Sequence, residues 1–153
     1  MFRNIKNGKE FSREMAESLQ KFTLLAGKRL PEKVAVELEK NIHESFEVEA
    51  YQDGKNNKWQ GRKKLAKPQR KILIGQQGGT LHRSIEVEHN GNEIRASTDV
   101  VYASVHNEGE KAGRGAGFTM PKRQFMPAPG EANQKLDKQV EKWLDSEMDK
   151  IFN

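Results

Sequence analysis

The chain has 153 residues, 34% of them hydrophobic and 32% charged, a formal net charge of +5 and no cysteine. That length fits one domain with one modest core, and the missing cysteines exclude a disulfide framework and thiolate metal sites. No apolar run approaches the ~20 residues needed to span a bilayer, and the opening MFRNIKNGKEF lacks the apolar stretch of a signal peptide, so synthesis as a soluble protein in the cytoplasm is expected.

Along the chain, Phe11, Met15, Leu19, Phe22 and Ala26 fall at spacings of three and four, which predicts a helix over residues 9–26 with Gly27 as its stop. Pro31 suits the first turn of a second helix, and Leu30, Val34, Leu38, Ile42 and Phe46 trace a narrow i+4 stripe that should face the core. Asp53-Gly54 marks a turn. Residues 54–71 are basic, interrupted by Pro68, and predict a flexible loop with a short helical turn around Arg62–Ala66. Trp59 is the large apolar residue of its first half, and such a residue commonly docks back on the core. Ile72-Leu73-Ile74 is a short apolar run, followed by a glycine-rich turn, and Leu81 to Ile85 suit either a helical turn or the start of a strand.

From Ile85 the pattern alternates: Ile85, Val87 and His89 oppose Glu86 and Glu88. Asn90-Gly91 then signals a hairpin, and Ile94, Ala96 and Thr98 alternate on its far side. Val100 to Val105 form another apolar segment, strand or short helix. Residues 109–117 are glycine-rich and predict a mobile arm. Residues 118–126 suit a returning strand, ended by Pro127 and Pro129. Leu136, Val140, Trp143, Leu144, Met148, Ile151 and Phe152 mark the buried face of a closing amphipathic helix. Helices flanking a small antiparallel sheet with a β-hairpin make an α+β fold, a single domain over residues 1–153 with flexible segments near 54–71 and 109–117.

Chemistry is sparse in this pattern. None of His43, His82, His89 and His106 has the spacing of a helical zinc motif, so neither metal nor cofactor is expected. His106 with Glu108 offers a general base, but nothing nearby resembles a nucleophile elbow, and a structural histidine is the plainer reading. The glycines of 113–117 lack the preceding strand and following Lys-Ser/Thr of a phosphate loop. Residues 54–71 hold eight basic residues and no acidic one, whereas residues 31–50 hold six acidic and two basic. The basic segment could bind nucleic acid, yet Trp59 is its one stacking ring.

The order Phe46, Asp53-Gly54, Trp59, Ile72-Leu73, Gly79-Thr80-Leu81-His82-Arg83-Ser84-Ile85, Tyr102-Ala103-Ser104-Val105-His106-Asn107-Glu108-Gly109 and Pro121-Lys122-Arg123-Gln124-Phe125 resembles the phage virion morphogenesis (tail completion) family. The resemblance covers about residues 46–127. Asn107-Glu108 departs from it, standing where a Gln and an aromatic are common. The resemblance implies a non-enzymatic bacteriophage or prophage structural protein for tail completion or head–tail joining, often ring-forming, without catalytic residues. Its implied partners are copies of itself and other neck or tail proteins, with no membrane, first in the host cytoplasm and then in the virion neck or tail.

The residues fit such a role. Closed rings need one patch to meet a different patch on the next subunit. If the acidic helix 31–50 and the basic loop lie on opposite sides of the subunit, complementary charge would guide that contact. The expected partner-binding residues are Trp59, Arg62, Lys63, Lys64, Lys67, Arg70, Arg114 and Phe118. For Trp59 and Phe118, packing within their own subunit is the alternative. A basic nucleic-acid-binding accessory protein is the rival function, and a small hydrolase using His106 the lesser one.

Overall fold

Spacings of three and four carry helical backbone without interruption from Gly8 to Val48. The computed structural model describes residues 8–55, 57–62, 71–74 and 79–153. Helix α1 (Gly8–Leu24) passes through a π turn (Leu25–Arg29) directly into α2 (Leu30–Val48). The expected stop at Gly27 is therefore corrected: the chain does not leave the helix there. Pro31 supplies the reason. A proline inside a helix has no N–H to give and crowds the carbonyl four residues back. Here the Leu30 N–H reaches instead to Leu25 O, five residues back, and the wider turn absorbs the ring. The rod is about 60 Å long at 1.5 Å per residue.

The i+4 stripe on α2 behaves as expected where it meets the rest of the chain: Leu38, Ile42 and Phe46 are buried. The stripe on α1 does not. Leu19 and Phe22 are exposed, and Ser18 is the one buried residue of α1. The cause lies in α4 (Gln134–Phe152), which runs antiparallel along the rod. Its cap Asn133 meets Gln52, Lys135 pairs with Glu44, Gln139 with Asn41, and Glu147 with Arg29. It ends at Phe152, whose ring centre lies 6.4 Å from that of Phe22. No residue of α1 before Ser18 is buried.

The fold is α+β, and among the described residues the strands form three separate antiparallel ladders of two strands each. Strands β1 (Ala50–Tyr51) and β2 (Asn57–Lys58) close the Asp53-Gly54 turn. Buried Asp53 accepts from the Lys55 N–H and the Asn57 amide, each at 2.8 Å, and fixes that turn. After the short helix α3 (Thr80–Arg83) comes the expected hairpin, β3 (Glu86–Asn90) and β4 (Glu93–Ser97), with Val87 opposite Ala96 and His89 opposite Ile94. Its two-residue loop is Gly91-Asn92, one position later than the Asn-Gly signal suggests, and the positive φ falls on Gly91. The hairpin packs on α2 and covers the core with Val87, Ile94 and Ala96.

Of the segment Val100–Val105, Val101 and Tyr102 form a turn, Ala103 and Ser104 are helical, and a second π turn (Val105–Gly109) follows. The glycine-rich segment is shaped as a small hairpin, β5 (Lys111–Ala112) with β6 (Phe118–Thr119). The returning strand expected over 118–126 is confined to those two residues of β6; the remainder is not in a strand. One core gathers Leu38, Ile42, Phe46, Trp59, Leu81, Ile85 and Phe125, joined by Ile72 and Ala103. Phe46 and Phe125 are fully buried with ring centres 4.9 Å apart. Burying side chains of this size stabilises by about 1.5–3 kcal/mol apiece.

Candidate assembly surface

Two sequence motifs meet edge to edge beside this core. The turn around residues 102–109 and the segment 120–126 are joined chiefly through Asn107, which is buried. Its side-chain oxygen accepts the main-chain N–H groups of Phe125 and Met126, both at 2.9 Å. Phe125 is thereby held against Phe46. The Arg123 N–H donates to His106 O at 2.8 Å. Gly109, at φ 74°, lies so near Lys122 that a Cβ there would stand 2.9 Å from its backbone nitrogen. Only glycine permits this approach.

Above the junction lies a shallow cleft of about 340 Å³, lined by Val100, Val101, Ala103, Phe125, Met126 and Pro127 among others. Val101 stands at its rim with 92% of its surface exposed. Sequence reasoning placed Val101 in an apolar segment, and no pattern in its neighbours marks it as a surface residue. Asp99 and Glu108, both exposed, flank the cleft.

The expected partner-binding residues divide. Trp59 is 8% exposed and packs within its own subunit: its indole N–H donates to Gln124 O at 2.7 Å, and its ring stands edge-on to Phe46. Phe118 is the reverse, 57% exposed on β6 with its ring against Gly113. Arg114, at the same hairpin tip, is exposed. Arg62 is exposed and donates to Lys71 O at 3.0 Å. Lys63, Lys64, Lys67 and Arg70, and most of the helical turn expected around 62–66, lie outside the described residues.

The acidic helix and the basic loop are not on opposite sides where they can be traced. Lys71 forms an ion pair with Glu47 of α2 in the same subunit, and this contact lowers the Glu47 carboxyl below its ordinary range. Lys135 likewise engages Glu44 at 2.7 Å. Part of the acidity of α2 is thus neutralised internally.

The candidate base is not assembled. The Glu108 carboxylate takes a 2.5 Å hydrogen bond from the Asn107 amide and lies 3.8 Å from Lys122. His106 faces the Tyr102 ring edge-on, and its Nδ1 is buried without a hydrogen-bond partner among the described residues. Burial, then the nearby Arg123 charge, holds its imidazole below the usual histidine range. Among the described residues no three His, Asp or Glu side chains converge on a metal-sized site, and no helix is long and apolar enough to cross a membrane.

Comparison with known proteins adds two findings. The model of a family described as the phage virion morphogenesis family matches residues 5–145. The chain is also 31% identical over 117 residues to Mu-like prophage FluMu G protein 2 of Haemophilus influenzae, an alignment covering 75% of this chain and 78% of that protein. No solved structure matches.

Proposed function

This chain belongs to the phage virion morphogenesis family, and we propose that it is a structural, non-enzymatic protein that completes the tail or joins it to the head. On this reading it works by associating with copies of itself and docking to other virion proteins. The observation that carries the reading is where the motif residues lie. Phe46, Trp59, Leu81, Asn107, Arg123 and Phe125 are all buried and brace one another. Their burial suits a role in maintaining a shape, with Asn107 and Phe125 forming the floor of the cleft beside Val101. What the shape presents outward is apolar and charged: Leu19, Val101 and Phe118, with Arg62 and Arg114. Exposed apolar groups beside charge suit contact with other proteins.

Electron microscopy of particles produced without this protein tests the reading. The expected result is full heads separate from unfinished tails, restored to joined particles when the protein is supplied. Intact infectious particles in its absence would refute it. DNA retention by the purified protein that falls steeply with salt would favour the nucleic-acid reading instead.

A further inference from the structure

The hairpin β5–β6 and the cleft beside Val101 are two different patches with matching properties. The hairpin tip is a turn built on glycines. Gly113, Gly115 and Gly117 all have positive φ, and a Cβ on Gly117 would stand 2.8 Å from Ala112 O. The Gly117 N–H closes the tip on Arg114 O at 3.3 Å. This turn holds out Phe118, more than half exposed, next to Arg114. Between Lys111 and Thr119 the hairpin carries Lys111 and Arg114 and no acidic residue.

The cleft has the opposite character. Its walls are Val100, Val101, Ala103, Met126 and Pro127 over the buried edge of Phe125, and Glu108, itself 3.8 Å from Lys122, is the one charged residue lining it among the described residues. Asp99, between the lining residues Thr98 and Val100, adds a second exposed carboxylate. A cavity of about 150 Å³ accepts a benzene ring, so a cleft of about 340 Å³ has room for one phenyl group. No residue of the hairpin lines the cleft of its own subunit.

We propose that Phe118 of one subunit enters the Val101–Met126 cleft of a second copy of this chain, with Arg114 set against Asp99 and Glu108 of that copy. Apolar matter fills an apolar cleft and a basic tip meets an acidic rim, so the occupant is this chain's own hairpin. The contact joins unlike patches. It therefore propagates from subunit to subunit, and closes a ring where the rotation permits. The proposal rests on the assembly reading and names the surfaces through which it works.

The natural absence of cysteine makes the test direct. Purified Phe118→Cys and Val101→Cys chains, both changed at exposed positions, are mixed under mild oxidation and resolved on non-reducing gels. The expected result is a covalent dimer in the mixture, absent from either variant alone, and a ladder of higher species from a chain carrying both changes. A mixture giving no more dimer than a control pairing Phe118→Cys with Lys142→Cys overturns the contact. Like-with-like dimers in place of unlike ones overturn it as well. The two readings fail separately. If particles need the chain but the mixture does not cross-link, this contact falls and the assembly role stands. If particles are completed without the chain, the assembly role falls whatever the gels show.

Discussion

At position 107 one amide side chain accepts two consecutive main-chain N–H groups and so replaces the strand pairing that residues 120–126 lack. A buried acceptor of this kind contributes about 1 kcal/mol per bond, and leaving its partners unsatisfied costs more. A second polar contact within the protein joins two titratable rings. His43 Nδ1 and His82 Nε2 lie 3.1 Å apart, so one ring must donate and the other accept. The two rings meet edge to face, His82 also faces Phe46, Glu39 lies 4.0 Å from His43, and Glu47, Arg83 and Lys71 surround His82. Burial first, and then His43, hold the His82 imidazole below its ordinary value of 6.5. The unfolded chain then takes up the proton more readily than the folded one. The contribution is complete above the unfolded value and is lost as pH falls through the folded one. His106 shifts in the same direction. The urea midpoint is expected to fall between about pH 7.5 and about pH 5.5, above the range where carboxylates titrate, and His82→Gln should remove part of that fall. An identical pH profile in the variant would show that the pair does not act this way.

Among the elements, α4 decides whether the long rod is tied to the core. Asn133 opens it in two ways: its side-chain oxygen accepts the Leu136 N–H at 2.9 Å, and its amide donates to Gln52 O at 3.1 Å. Further along, Glu147, almost fully buried, takes Lys150 and Arg29, and these hydrogen bonds lower its carboxyl below the ordinary range. Arg29 also lies over the Trp143 ring, 5.7 Å from its centre. The π turn thus carries the residue that grips the last turns of α4. Replacing Asn133→Ala removes cap and tether together and is expected to cost about 1–2 kcal/mol. Asn133→Asp keeps the cap, loses the donor to Gln52, and should fall between the two. Urea midpoints at constant m-value would order the three proteins. Equal midpoints would mean that α4 is held by its apolar face alone.

Taken as a whole, the fold was legible where one pattern had one cause. The i+4 stripe of α2, the β3–β4 hairpin and the closing helix all follow from short-range spacing, and the family was legible through the resemblance of its ordered motifs. The junction at Gly27 misled because a glycine resembles a stop, while the decisive group was Pro31, whose missing N–H is met by a π turn rather than by a break. The α1 stripe misled because periodicity marks an apolar face without saying whether another element reaches it, and α4 ends at Phe152. On the surface, Phe118 was legible as an apolar residue stranded among glycines. Val101 was not, because its neighbours Val100 and Ala103 do pack inward. Trp59 was ambiguous in sequence because its contact with Gln124 O joins residues 65 positions apart.

Glu49 has one further consequence for how this architecture can change. In the left-handed conformation at the end of α2, it accepts the Trp59 N–H on its main-chain oxygen at 2.7 Å and the Ile72 N–H on its carboxylate at 2.6 Å. Both feet of the intervening basic stretch thus stand on a single residue, and the span between them is already closed before its own length matters. Doubling a closed loop costs only ~0.6 kcal/mol. Inserting a few Gly-Ser residues between Arg62 and Lys71 should accordingly shift the urea midpoint by less than about 1 kcal/mol, whereas a much larger loss would show that the stretch itself bears on the core. On this geometry, a change in the length of the stretch between the two anchors is expected to leave the frame beneath it the same.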